Sequence, residues 1–534
     1  MHRNPSVSSH KFAMIPKADI PRSAFRMQKT LKTTFDAGYL IPIYCEEMLP
    51  GDRANVKATV FARMATLLFP VMDNMYIETF FFFVPNRLTW SNWQKFMGEQ
   101  DNPSDSISYV IPQIVSPAGG FAVSGIYDMF GLPTVGQVAG GSTISINALP
   151  LRAYNQIYKQ WFRDENLINS PTINLGNGPD TYTDYALRRR GKRHDYFTSC
   201  LPWPQKGNTA VTLPLTGNAW IKGLGIDPAA TPSTGTQNVD ESDGTNLNYS
   251  EWYSANSVNT LKIRSISSIP NIYADLSTAT SATINAIRLA FQTQKFLERD
   301  ARGGTRYTEL VFTHFGVRSP DMRLQRPEYL GGGKSAIQIN PIAQTGQTGL
   351  TGGSTPLGTL GAMATAVAHG HGFNYAATEH GYIIGLACVD ADLTYQQGIR
   401  RHWSRSTRYD FYDPAFAMLG EQAVLNKEIY ARGDANDALT FGYQERWAEY
   451  RYNPSEICGL FKSTASGTID PWHLSQKFTS LPTLNQTFIE STPPVDRIVA
   501  VTSTGKQFLC DIFFDGKWAR PMPLYSVPGL IDHF

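Results

Sequence analysis

The sequence predicts a mainly β protein interrupted by one large insertion that carries helices. Three observations predict it. Runs of β-branched and aromatic residues alternating with polar ones lie towards both ends of the chain. The 33 prolines and 44 glycines come with only 17% charged residues, below the roughly 25% of an average soluble protein, which suits many turns and a polar but uncharged surface. Helical periodicity is confined to the middle of the chain. Length alone, at 534 residues, would allow about three or four domains.

Residues 1–32 carry Arg3, Lys11, Lys17, Arg22, Arg26, Lys29 and Lys32 against one acid, Asp19, with prolines at Pro5, Pro16 and Pro21. Such a stretch has too little apolar surface to fold alone, so it is expected to be an extended arm that orders only against a partner. Strands follow. "TFDAGYLIPIY" and "NVKATVFARMATLLFP" are separated by the turn residues Pro50, Gly51 and Asp52. In "NMYIETFFFFVPNRL", Phe80, Phe81, Phe82 and Phe83 must point to both faces of a sheet, which calls for cover on both sides.

The insertion reads differently. "LRAYNQIYKQWFRDENL" spaces Tyr154, Ile157, Tyr158, Trp161 and Phe162 along one helical face, a stripe suited to core packing rather than to a cofactor. "SATINAIRLAFQTQKFLERDARGG" places Ile284, Ile287, Phe291 and Leu297 on one side of a second helix and stops at Gly303 and Gly304. Between them, residues 225–261 are rich in Ser, Thr, Asn and Gly. Their charges are Asp227, Asp240, Glu241, Asp243 and Glu251, with no Lys or Arg. Tyr249, Trp252 and Tyr253 stand in this polar company, a composition typical of a recognition surface. Strands return with "GYIIGLACVDADL" and with "RIVAVTSTGKQFLCDIFFDGKWARPMP". In the latter Phe508, Cys510, Ile512 and Phe514 share a face, and Asp515-Gly516 offers a tight type I′ turn.

The chemistry-bearing motifs are sparse. "YLGGGKSAIQIN" ends like a phosphate-binding loop at Gly333-Lys334-Ser335. Glu328 occupies the place of the first glycine, and the strand-like alternation that follows runs into Pro341, so a glycine turn feeding a strand is the expectation. G-x-S-x-G, H-E-x-x-H and G-x-G-x-x-G are absent, so no catalytic or cofactor-binding residue is expected. His369 and His371, two apart on a strand with His380 nearby, could face one metal, but no carboxylate or cysteine completes the set. Asp390 with Asp392 and Asp434 with Asp437 lack the spacing of a calcium loop. The five cysteines are scattered with no C-x-x-C pair, which points to a reducing cytoplasm. There is no apolar leader and no apolar run approaching the ~18 residues of a membrane helix, so a soluble product is expected.

The strongest local signal is "LRRRGKRHDYFTSCLPWP". Arg188, Arg189, Arg190, Lys192 and Arg193 lead into His194, Tyr196, Phe197 and Trp203. Basic side chains follow phosphates and aromatic rings stack on unpaired bases, which suits single-stranded nucleic acid. A salt-bridged loop fits the same residues, and a nuclear-import signal fits them less well. Formal charge is 47 − 45 = +2 over the whole chain, so any nucleic-acid contact must come from a local patch.

Several long strings together resemble one family. "FARMATLLFPVMDNMYIETFFFFVPNRL", "LRAYNQIYKQWFRDENL", "GKRHDYFTSCLPWPQKG", "FLERDARGGTRYTELVFTHFGVRSPDMRLQRPEYLGG", "GEQAVLNKEIYA", "FGYQERWAEYRYNPS" and "ARPMPLYSVPGLIDHF" resemble the major capsid proteins of the Microviridae, in the gokushovirus branch of small single-stranded-DNA bacteriophages. The resemblance covers essentially the whole chain and is weakest over residues 225–282. It implies an eight-stranded antiparallel jelly roll with long helix-containing insertions, and a non-enzymatic virion protein of a T=1 icosahedral shell around circular single-stranded DNA. It divides the chain into an arm at 1–32 and a jelly roll at 33–534, interrupted by an insertion at 88–305 whose 225–282 portion is a threefold surface protrusion. It implies assembly in the host bacterial cytoplasm with no membrane insertion, and as partners further copies of the chain, an internal scaffolding protein, a small DNA-binding protein, a DNA pilot protein and a host surface receptor. Neither cofactor nor metal is implied. Arg3, Lys11, Lys17 and Arg22 of the arm and the basic run from Arg188 to Trp203 then become candidates to face DNA, and Tyr249, Trp252 and Tyr253 candidates to touch the host. A phage-borne carbohydrate-binding β-sandwich or depolymerase is the rival class, and a scaffold-independent nucleic-acid binder is disfavoured by the small net charge.

Overall fold

The computed structural model describes residues 21–207, 284–304, 307–316, 325–345, 358–500 and 505–525, with short strand segments between 220 and 275. They belong to two compact units, Met1–Pro204 with Val317–Phe534, and Gln205–Gly316. The first unit opens with β1 Ser23–Phe35, β2 Ile41–Met48, β3 Arg53–Met64 and β4 Met75–Pro85. Helix α1, Leu149–Ile157, runs into a wider π turn over Tyr158–Phe162. The second unit carries α2 Ile284–Arg302 and α3 Tyr307–Phe315. The first unit resumes with β5 Glu328–Ala336, β6 Gln338–Ala343, β7 Leu360–Ala376 and β8 Gly381–Ala391. A small two-stranded ribbon, β9 Glu421–Leu425 with β10 Thr440–Glu445, precedes the last strand, β11 Phe508–Arg520.

Two antiparallel sheets result, in the orders β1-β11-β3-β7-β6 and β5-β4-β8-β2. The chain winds between them, since β1 and β3 lie in the first sheet and β2 and β4 in the second. Gly51, at φ +90, makes the crossing from β2 to β3, and the Asp52 carboxylate accepts the Leu49 N–H at 2.9 Å to close the turn. The fold is a mainly β sandwich of jelly-roll type with helix-bearing insertions; its two main sheets hold five and four strands among the described residues.

Strict alternation builds the core. Along β3, Ala54, Val56, Ala58, Val60, Ala62 and Met64 are buried, while Arg53, Lys57, Phe61 and Arg63 stand outside. From β11, Phe508, Cys510, Ile512 and Phe514 face the same interior. Between the sheets Tyr44 meets Phe514 at 4.9 Å and Phe81 meets Phe373 at 5.1 Å, ring contacts that each add about 0.5–1.5 kcal/mol beyond the area they bury. The four phenylalanines of β4 divide as their spacing requires. Phe81 and Phe83 enter the sandwich, whereas Phe82 joins a second core with Tyr154 and Ile157 of α1. Phe80 and Phe82 also pack on Phe162, at 5.2 and 5.9 Å. The insertion thus supplies the outer cover that β4 demands.

Four expectations change. Residues 23–32 are not an arm awaiting a partner: β1 pairs with β11 along its whole length, from Ser23 opposite Arg520 to Phe35 opposite Phe508, with Arg26 and Lys32 bonded to Asp515 and Asp511. Asp515-Gly516 makes no turn, because β11 is held on both sides by β1 and β3, and the Gly516 site lies against Trp518 Nε1 and the Met27 carbonyl. The glycines of "YLGGGKS" sit within β5 rather than in a turn before it. A Cβ on Gly332 would come within 2.0 Å of the Thr79 carbonyl, and one on Gly333 within 2.4 Å of the His371 ring. Finally, α2 ends at the expected glycines, with Gly304 at φ +98, but Ile284 and Phe291 on its apolar side are exposed.

Candidate nucleic-acid interface

The basic run is stitched into the subunit by its backbone. Arg190 N–H donates to the Gly38 carbonyl at 2.8 Å and Lys192 N–H to that of Ile489 at 2.7 Å; the Leu40 and Ser491 N–H groups donate back to the carbonyls of Arg188 and Arg190. Asp195 then turns the chain, its Oδ1 accepting from the N–H groups of Phe197 and Thr198 at 2.8 and 2.7 Å.

Side chains follow the same logic. Arg190 and Arg193 both bond the nearly buried carboxylate of Glu78 on β4, Lys334 of β5 lies 3.8 Å from it, and Arg193 also reaches Asp392 at 3.5 Å. Arg189 stacks 4.1 Å above the Tyr39 ring and donates to the Ser491 carbonyl at 3.1 Å. Arg188 lies over Tyr158. Lys192 is buried with its ammonium 4.5 Å from the centre of the Phe488 ring, and burial pushes its pKa down to about 8.

Tyr196 and Phe197 are a correction to the stacking role. Both are buried in a core with Cys200, Tyr395, Val424 and Phe441. Tyr196 Oη donates to Glu428 Oε2 at 2.7 Å, and Phe197 packs on Tyr395 at 5.0 Å. Their rings are packed inside the subunit, each only 4% exposed, so neither stands on the surface as a stacking platform. The salt-bridged reading of the loop therefore accounts for Arg190, Arg193, Tyr196 and Phe197. Trp203 is half-buried and Arg22 is exposed. Arg3, Lys11 and Lys17 lie outside the described residues, as do Trp252 and Tyr253; of Tyr249 only the strand backbone is described.

The histidine pair separates for a local reason. A β-bulge between Ala368 and His371, with Gly370 at φ +78, sends His369 outward and His371 inward. His371 is held at 2.9 Å by the hydroxyls of both Thr79 and Ser335, and burial lowers its pKa, keeping the ring neutral. No group of three or more potential metal-ligating side chains occurs among the described residues. Asp390 is buried and accepts from Ser491 Oγ at 2.7 Å, while Asp434 and Asp437 cap loop N–H groups of Asn436, Arg432 and Gly433.

A surface that sequence reading did not single out is the outer face of the five-stranded sheet. Its signal was present in β3, where Lys57, Phe61 and Arg63 occupy alternate outward positions, but strand parity and the pairing of β1 and β11 beside it had to be known first.

The geometry defines a jelly-roll β-sandwich protein with helix-bearing insertions, and comparison with known proteins gives the family. The profile of the family described as "Capsid protein (F protein)" matches residues 13–530. The chain belongs to this family. It is 47% identical to Capsid protein VP1 of Bdellovibrio phage phiMH2K, over 99% of both chains. It is 42% identical to Capsid protein VP1 of Chlamydia phage 1, over 98% of both, and 35% identical to that of Spiroplasma virus 4, over 98% of this chain and 97% of the relative. These relatives are gokushoviruses of the Microviridae. The chain is a structural major capsid protein of the virion, and the carbohydrate-binding alternative is not favoured. Among the described residues, no helix is long and apolar enough to cross a membrane.

Proposed function

We propose that copies of this chain close into a T=1 icosahedral shell around a circular single-stranded DNA genome, with no catalytic role. The observation that carries this reading is the match to a phage capsid protein along nearly the whole chain, 47% identity over 99% of both chains. The arm before β1 lies inside the shell in this reading, where Arg3, Lys11, Lys17 and Arg22 meet DNA phosphates. The internal scaffolding protein, the small DNA-binding protein and the DNA pilot protein act with it in the host cytoplasm, and the 225–282 segment faces outward to a host receptor. Negative-stain imaging and size-exclusion of material from infected or co-expressing cells test the assembly. Closed shells are expected; a soluble monomer or trimer as the only product refutes it. Replacing the four arm cations by Ser should lower the DNA content of the particles while shells still form, and full DNA content would remove the arm from the genome contact.

A further inference from the structure

We propose that the open outer face of the five-stranded sheet is a single-stranded-DNA platform, with phosphates on Arg53, Lys57 and Arg63 and bases on Phe61 and Phe513. This rests on the reading of the chain as a shell subunit around single-stranded DNA.

Parity and register build the face. On β3 the outward residues in order are Arg53, Asn55, Lys57, Thr59, Phe61 and Arg63, about 6.8 Å apart along the strand. Across the pairing, Phe513 of β11 is opposite Thr59, Asp511 opposite Phe61 and Leu509 opposite Arg63; on the other side Val367 of β7 is opposite Phe61. Phe61 is 48% and Phe513 40% exposed, unusually open for phenylalanines in interior strands of a sheet, while their neighbours Ala62 and Ile512 are sealed in the core. A groove of about 540 Å³ runs beside Phe61, Arg63, Lys32 and Leu509, with Asp128 and Asp511 also in its lining.

The charge selects the occupant. Arg26, Lys32, Arg53, Lys57, Arg63 and Lys517 face outward against Asp511 and Asp515, which gives 6 − 2 = +4. The two acids are bonded to Arg26 and Lys32, and Arg53, Lys57 and Arg63 form no ion pair among the described residues. The whole chain is +2, so everything outside this face sums to 2 − 4 = −2. A protein interface depletes Lys at its centre. Exposed rings among unpaired cations are instead the pattern that holds single strands, where rings stack on bases and cations follow the backbone. In the basic loop at residues 188–193, by contrast, Glu78 and Asp392 already pair Arg190 and Arg193, Lys192 is buried, and Arg188 and Arg189 lie over the Tyr158 and Tyr39 rings.

Titration of the purified full-length chain with labelled oligothymidylate across a salt series tests the platform. Lys57→Gln with Arg63→Gln should flatten the dependence of log K on log salt by about 1.4, at roughly 0.7 per phosphate on a single strand. Phe61→Ala with Phe513→Ala should leave that slope unchanged and weaken binding roughly 30-fold or more, at about 5-fold or more for each base lost. Unchanged binding in both variants, with unchanged melting temperature, overturns the proposal. So does loss of shells with normal oligonucleotide binding, which would make the face a contact between subunits. Ultraviolet cross-linking of unmodified DNA-filled particles needs no variant: adducts on the β3 and β11 peptides are expected, and adducts confined to other peptides overturn it. Failure to recover DNA-filled shells refutes the assembly reading, while the titration still decides the sheet face by itself.

Discussion

Burial drives the Lys192 pKa from 10.5 to about 8, against the opposing pull of Asp195 and Asp390. The sign of its effect on stability follows. Between about 8 and 10.5 the unfolded chain holds a proton that the folded chain has released, so stability rises with pH through that window and is lowest below it. A shift of this size is worth up to ~3 kcal/mol. Lys192→Met keeps the length and loses the charge, so it should be more stable at pH 7 by ~1–3 kcal/mol and lack the alkaline rise. Equilibrium unfolding at pH 7 and pH 9.5 checks this; a variant less stable at pH 7 would mean that the contact with the Phe488 ring outweighs desolvation. The roles of single residues were the least legible part of the sequence. A run of five cations reads as a polyanion site until Glu78, more than a hundred residues away on β4, is seen between Arg190 and Arg193.

At the scale of elements, legibility depended on whether one strand's own pattern was enough. The phenylalanines of β4 announced two covered faces, and α1 supplies the second cover from the expected aromatic stripe. Asp515-Gly516 misled because an Asp-Gly pair within a strand and one in a hairpin look alike; only pairing to both β1 and β3 decides. The bulge at Gly370, which parts His369 from His371, is set by register against β3 and was equally invisible. The glycines of β5 are the sharpest case. Gly332 carries no unusual φ, so close approach alone explains it: a side chain there would meet the Thr79 carbonyl of the adjoining strand at 2.0 Å and the Tyr329 hydroxyl at 3.1 Å. Gly332→Ala should therefore pry β5 from β4 and destabilise the subunit by ~3 kcal/mol or more, the upper range for overpacking against backbone that cannot yield. Thermal unfolding with limited proteolysis across residues 325–345 reads both effects. Unchanged protection would show that β5 shifts its register without cost.

At the scale of the molecule, the chain separates its chemistry. The sandwich unit carries the basic sheet face, and the Gln205–Gly316 unit holds the polar stretch whose only charges over residues 225–261 are acidic. In the proposed shell, a basic face turned to the genome and an acidic stretch turned outward would hold DNA without attracting nucleic acid to the outer surface. The helices of the smaller unit add a second requirement. Ile284, Leu289, Phe291 and Phe315 are each more than two-thirds exposed, and large exposed apolar patches mark interaction sites, so this unit is expected to meet further protein. The proposed assignment separates the two halves of the insertion, with the helices given to assembly and the polar stretch to the exterior, and a deletion tests it. Replacing residues 231–257 by a Gly-Ser bridge spares α2 and α3, so particles should form at near-normal yield while adsorption to the host falls sharply. Normal adsorption by the deletion particles would dismiss Tyr249, Trp252 and Tyr253 as host contacts. Loss of particles would instead assign the polar stretch, with the helices, to the contact between subunits.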